Sequence, residues 1–72
     1  DNILNEIKKI EGVIKAHDLH IWSLDGSKNI LSVHVVVSRD ENADGIKRIV
    51  AGIRENIADF GEFHSTIEIE QI

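Results

Sequence analysis

Val13-Ile14-Lys15-Ala16-His17-Asp18-Leu19-His20-Ile21-Trp22-Ser23-Leu24 is followed by Asp25-Gly26-Ser27-Lys28-Asn29, and then by Ile30-Leu31-Ser32-Val33-His34-Val35-Val36-Val37. The two outer runs are apolar and rich in β-branched residues, which suit a pleated surface. The Asp-Gly between them is a strong short-range hairpin signal. Two antiparallel strands are therefore expected. A turn centred between Gly26 and Ser27 sets Leu19 opposite His34, with His17 diagonal to it on the same face at about 7–8 Å. Leu31, Val33, Val35 and Val37 then share the other face with His20, Trp22 and Leu24. A slip of one residue reverses the faces and brings His20 to His34. The residues by themselves leave both registers open.

Outward from the hairpin the period changes. Before it, Ile3, Leu4, Ile7 and Ile10 fall on one helical face, with Asp1 or Asn2 as the cap and Gly12 as the stop. After it, Ser38 to Asp44 is a polar loop. Ile46, Ile49, Val50, Ile53, Ile57 and Phe60 then trace one stripe at helical spacing, and Gly61 ends it. From Ser65 to Gln71, Ile67 and Ile69 alternate with Thr66, Glu68 and Glu70 as in a half-buried strand. The order is αββαβ. Two amphipathic helices need a sheet to cover, so an α+β domain with both helices on one face of three strands is expected. The last helix then serves as a crossover, which allows the second and third strands to run parallel.

With 72 residues the chain holds one small soluble domain, spanning 1–72, with a thin core. Such domains usually add a disulfide, a metal or a partner. Cysteine is absent, which removes disulfides and thiolate sites. The net charge of −5, from 13 acidic and 8 basic residues, opposes a nucleic-acid or anionic-membrane surface and suits a cation. A strand platform for RNA needs aromatics and a basic face, whereas the aromatics here are Trp22, Phe60 and Phe63. No apolar run approaches the roughly 20 residues of a membrane span. No leader pattern opens the chain, and the start at Asp1 without Met sets the expectation of a longer parent. No cysteine nucleophile, no Ser–His–Asp set and no room for a deep pocket argue for a non-enzyme without a small-molecule substrate.

His17, His20, His34 and His64 are the polar residues that fit a plain surface least. A single strand histidine is more often packed or solvated than a ligand, so convergence is the question. Ala16-His17-Asp18-Leu19-His20-Ile21-Trp22-Ser23-Leu24 resembles the HDLHIW segment of the cation diffusion facilitator family. Leu31-Ser32-Val33-His34-Val35 and His64-Ser65-Thr66-Ile67-Glu68-Ile69-Glu70 are similar to two further segments of it, in the same order and spacing. The resemblance covers nearly the whole chain and is to the C-terminal cytosolic domain of these zinc and divalent-cation exporters.

The resemblance implies a metallochaperone-like, ferredoxin-like αββαβ fold. It implies a homodimer on the cytoplasmic side of a membrane, covalently attached to a transmembrane transport domain. Zinc binding there draws two domains together and favours transport. His17 and His34 are then metal ligands, Glu70 the third, and the first of the two registers is selected. Two imidazoles and a carboxylate suit zinc at about 2.0–2.2 Å, with a fourth position for water or a partner residue. Neutral imidazole is the ligand, so affinity is expected to fall as pH drops through roughly 6.5. Zinc is the default among divalent transition metals, between which such a donor set selects weakly.

Further ligand candidates are His64, at the start of the third strand, Asp18 and His20. Asp18 reads equally as a ligand-orienting group or a solvated charge, and Glu68 as a solvated neighbour of Glu70. His20 and Trp22 are expected on the face opposite His17, with Trp22 in packing. Asp40, Glu41 and Asp44 read as a helix-start cluster. Positions that hold a second zinc in some family members carry Lys47, Glu70 and Ile72, a departure from the two-zinc pattern. The main rival is a structural dimerisation domain without a working metal site.

Overall fold

The protein is described here by a computed structural model, in which residues 2–72 are defined. Five elements follow one another: α1 (Asn2–Lys8), β1 (Val13–Leu24), β2 (Lys28–Val37), α2 (Ala43–Ala58) and β3 (His64–Gln71). The sheet order is β1-β2-β3, with β1 antiparallel to β2 and β3 parallel to β2. The parallel pair needs a long crossover, and α2 supplies it. The αββαβ order and the α+β class are as expected.

Both helices lie against one face of the sheet. Ile49, Ile53 and Ile57 recur every four residues and are buried, as are Ile3 and Ile7. They meet Leu31, Val33, Val35 and Val37, which point the same way from β2. Asn42 caps α2, its side-chain oxygen accepting from the Gly45 N–H at 2.8 Å. At its other end α2 stops earlier than the apolar stripe suggests. Phe60 lies beyond the last helical residue and is 42% exposed, not part of the buried stripe. The N–H of Asp59 closes on the carbonyls of Asn56 and Ile57, and the chain turns at Gly61. At α1, Asn2 is helical and not a cap, and Asp1 lies outside the described residues.

Gly12 does not end α1, which finishes at Lys8, but forms the turn into β1 with φ 102. A Cβ here would lie 2.8 Å from Cδ1 of Ile49, a fully buried side chain with little room to yield. Positive φ and the close approach act together. Gly12→Ala is expected to lower stability by about 1–3 kcal/mol. A urea unfolding curve checks this, and an unchanged midpoint would remove the close packing of this turn on α2.

Near the turn the faces are those of the slipped register, with His20 on the side of His34, but His20 pairs with Ser32 and neither register holds along the whole hairpin. A loop of Asp25, Gly26 and Ser27 joins the strands, with φ 57 at Asp25 and 69 at Gly26. Near it Leu24 faces Lys28, Trp22 faces Ile30 and His20 faces Ser32. Further along, His17 faces His34 directly and Ala16 faces Val35. Between these stretches Asp18 and Leu19 stand against Val33 alone, which is a β-bulge. Asp18 takes up the extra residue with φ 55. One inserted residue resets the alternation, so His17 and His20 emerge on the same face although three positions apart. The expectation that His20 and Trp22 lie opposite His17 is corrected by this bulge. Leu19 does not face His34, and Leu31, Val33, Val35 and Val37 do not share a face with His20, Trp22 and Leu24.

Beyond the first residue of β3, which pairs with Ile30, the hairpin continues as a two-stranded arm. Residues 20–29 are exposed throughout, and the molecule measures 40 × 20 × 19 Å.

Candidate metal centre

The helix-free face of the sheet can be read in rows. Lys15, Val36 and Glu70 form one; His17, His34 and Glu68 the next; then His20, Ser32 and Thr66; then Trp22, Ile30 and His64. Every histidine of the chain therefore faces the same way. On β2 the even-numbered residues look out here because the odd-numbered ones fill the core. Parallel pairing carries that parity onto β3 and places Glu68 and Glu70 beside His34.

His34 is the centre of the group. Its ring stacks on that of His17, with centroids 4.7 Å apart and planes 17° from parallel. Its Nε2 lies 2.7 Å from Oε1 of Glu70, and its Nδ1 lies 3.9 Å from Oε2 of Glu68. Asp18, turned by the bulge, brings Oδ2 to 3.2 Å from Nδ1 of His17. One donor atom each from His17, Asp18 and His34 lies within 4.8 Å of the others, the one group of three such donors among the described residues. A cleft of about 210 Å³ opens beside them, lined by Asp18, His20, Ser32, His34, Thr66 and Glu68.

The donor set fits a divalent cation. His34 Nε2 is buried and makes no hydrogen bond, because its short approach to Glu70 is not aligned for one. A bare lone pair that close to a carboxylate is repulsive, and a misaligned buried N–H forgoes its bond at about 1–3 kcal/mol. A dication between the two atoms resolves both conditions. Ligands at about 2.0–2.2 Å on a tetrahedron stand about 3.3–3.6 Å apart; His17, Asp18 and His34 offer donors within 4.8 Å of one another, whereas Glu70 approaches His34 and lies outside that group. Imidazole nitrogen with carboxylate oxygen is a zinc-type set, and three carboxylates around two rings give the face a cation-attracting field.

A family model described as the cytoplasmic domain of cation efflux proteins matches residues 1–72. The chain belongs to this family. This cation efflux domain is 36% identical over 69 residues to a cadmium, cobalt and zinc/H(+)-K(+) antiporter of Bacillus velezensis, covering 96% of the chain and 22% of that protein. It is 35% identical over 71 residues to zinc homeostasis factor 1 of Schizosaccharomyces pombe, covering 97% of the chain and 18% of that protein. The chain thus spans about a fifth of these relatives. The metal-bound C-terminal domain of the CzcD transporter from Cuprividus metallidurans superposes with a TM-score of 0.80 at 33% identity, over 96% of this chain and 93% of that one. The ferredoxin-like architecture and the resemblance read from the three motifs stand with these comparisons. The Bacillus velezensis relative is an antiporter, and no described helix of this domain is long and apolar enough to cross a membrane.

Within the efflux domain the expected ligand residues are placed as follows. His34 touches both His17 and Glu70. Asp18, a secondary candidate, stands with His17 and His34. His20 lines the adjoining cleft, one row away, and His64 lies two rows away at the exposed start of β3. Glu68, read from sequence as merely solvated, stands in the row of His34 itself. Its position follows from the parallel register of β3, for which no local motif exists.

Proposed function

We propose that residues 1–72 form the metal-sensing and dimerisation domain of a divalent-cation efflux transporter, attached to a transmembrane transport domain on the cytoplasmic side. Zinc is the metal of this reading, held by His17, His34 and Glu70 with Asp18 beside them. The observation that carries it is the buried, unbonded Nε2 of His34 facing the Glu70 carboxylate. When bound, the metal supplies charge and a fixed geometry. His17 and His34 present nitrogens from neighbouring strands, and Glu70 closes the set from the third.

Two protomers pair through the helix-free face in this proposal. Each carries a net charge of −5, so two of them repel. A dication bound on the facing surfaces reduces that repulsion. Binding that prefers the tight dimer stabilises it by about 2.7 kcal/mol per site at a hundredfold excess over Kd. The attached domains feel the tightening as a change in spacing that favours transport.

One observation favours a second reading, a structural dimerisation domain. Trp22 and Leu24, on the same face as the histidines, are 45% and 49% exposed. Apolar exposure of that kind suits a contact between copies with or without metal. Zinc titration by calorimetry, with sedimentation in parallel, separates the readings. The expected result is about one zinc per protomer and a dimer that tightens with zinc. A dimer equally strong with and without zinc selects the structural reading, and absence of zinc binding ends the sensing one.

A further inference from the structure

His34 has two ring nitrogens, and the proposed metal site uses only one. A neutral imidazole carries a single proton. With a cation on Nε2 that proton must sit on Nδ1. Parallel pairing sets Glu68 of β3 directly across from His34, and its Oε2 lies 3.9 Å from Nδ1. That distance is about 0.7 Å beyond hydrogen-bonding range. The two side chains are unequal in freedom. His34 is 24% exposed and stacked on His17, so its ring is held, whereas the Glu68 side chain is 73% exposed and can swing. Glu68 is therefore the group that moves.

We propose that Glu68 is a positioning residue for the metal centre. Its carboxylate accepts a hydrogen bond from Nδ1–H of His34, fixes the ring plane and leaves Nε2 bare for a divalent cation. This rests on the metal-binding reading above and adds a residue to it. Two glutamates one pleat apart on β3 thus act on opposite sides of one imidazole: Glu70 meets the nitrogen that faces the metal, and Glu68 the nitrogen that keeps the proton. A carboxylate behind a ligand histidine raises its basicity as well as orienting it, and removing such a partner typically costs 10–100-fold in metal affinity.

The test uses the 72-residue chain with 15N-labelled histidine. Ring nitrogen shifts report which nitrogen of His34 carries the proton in the metal-free protein, and calorimetry with Zn2+ alone reports affinity. Wild type is expected to hold the proton on Nδ1. Glu68→Ala should move it toward Nε2 and weaken zinc about tenfold. Glu68→Gln, which keeps an acceptor oxygen at the same reach, should restore the Nδ1 proton and part of the affinity. Glu62→Ala removes the same charge from the helix-side cleft near Arg54 and Phe63, and should leave both readouts unchanged. A wild-type tautomer and affinity in Glu68→Ala overturn the assignment. So does an equal loss in Glu62→Ala, which would make the effect one of net charge. If wild type binds no zinc, the metal reading fails by itself, and the tautomer comparison still decides the role of Glu68.

Discussion

Replacing His34 with alanine is expected to abolish zinc binding and the thermal stabilisation that zinc confers. His34 stands in the middle strand, so each other member of the group reaches the site against it. His17 stacks on its ring, Glu70 meets its Nε2, and Glu68 stands opposite across β3. The variant leaves one imidazole and three mutually repelling carboxylates, which fit hard cations loosely and zinc poorly. The loss should be on the order of a hundredfold or more, since even a group behind a ligand is worth 10–100-fold. In wild type, zinc at a hundredfold excess over Kd adds about 2.7 kcal/mol to folding. At about 4–8 °C per kcal/mol for a domain of this size, Tm should rise by roughly 10–20 °C. His34→Ala should melt at the same temperature with and without zinc, and close to metal-free wild type, because the site lies outside the apolar core. A variant whose Tm still climbs with zinc would place the metal elsewhere on the chain.

Different parts of this molecule were legible to different degrees. The isoleucine stripe of α2 could be read directly, because helical period and burial coincide at Ile49, Ile53 and Ile57. Phe60 misled because it continues the period after the backbone has left the helix, and Gly61 marks the turn only approximately. The proposed ligands come from motif resemblance more than from geometry. The alternation that should have placed them fails at Asp18, an L-residue at φ 55. A bulge of this kind has no composition of its own: glycine would have announced it, and aspartate does not. The consequence is large, since a shift of one residue moves every later side chain to the other face. Glu70 was legible as a ligand candidate but Glu68 was not, although they share a face and a strand. What separates them is the motif: the resemblance singles out Glu70, whereas only the long-range register of β3 on β2 brings Glu68 beside His34.

Alternation along β2 explains why a functional face and a stable core coexist in so short a chain. Each β2 residue serves one face or the other: Leu31, Val33, Val35 and Val37 pack under the helices, while Ser32 and His34 are given to the site. No buried polar or charged residue interrupts the core among the described residues. The site therefore changes with little effect on folding, whereas the core has little to spare.

Ile53→Ala should show how little. Ile53 is fully buried at the centre of α2, in one cluster with Ile7, Leu31 and Val35. Truncation of such a side chain costs about 2–5 kcal/mol, from lost transfer energy and the cavity that remains. The whole domain, at 72 residues, is expected to hold roughly 4–11 kcal/mol. The variant should thus lose about a fifth of its stability or more, and at the lower end of that range it is partly unfolded at room temperature without metal. Zinc then has a second readout. It binds only the folded form, which assembles ligands from three strands, so adding it should restore native far-ultraviolet dichroism to Ile53→Ala by the same linkage that raises Tm in wild type. The double variant Ile53→Ala/His34→Ala should remain unfolded with or without zinc. A urea midpoint for Ile53→Ala within 1 kcal/mol of wild type would mean that α2 does not seat on the sheet at this residue. Zinc rescue that survives in the double variant would mean that the metal stabilises the fold from a site other than His34.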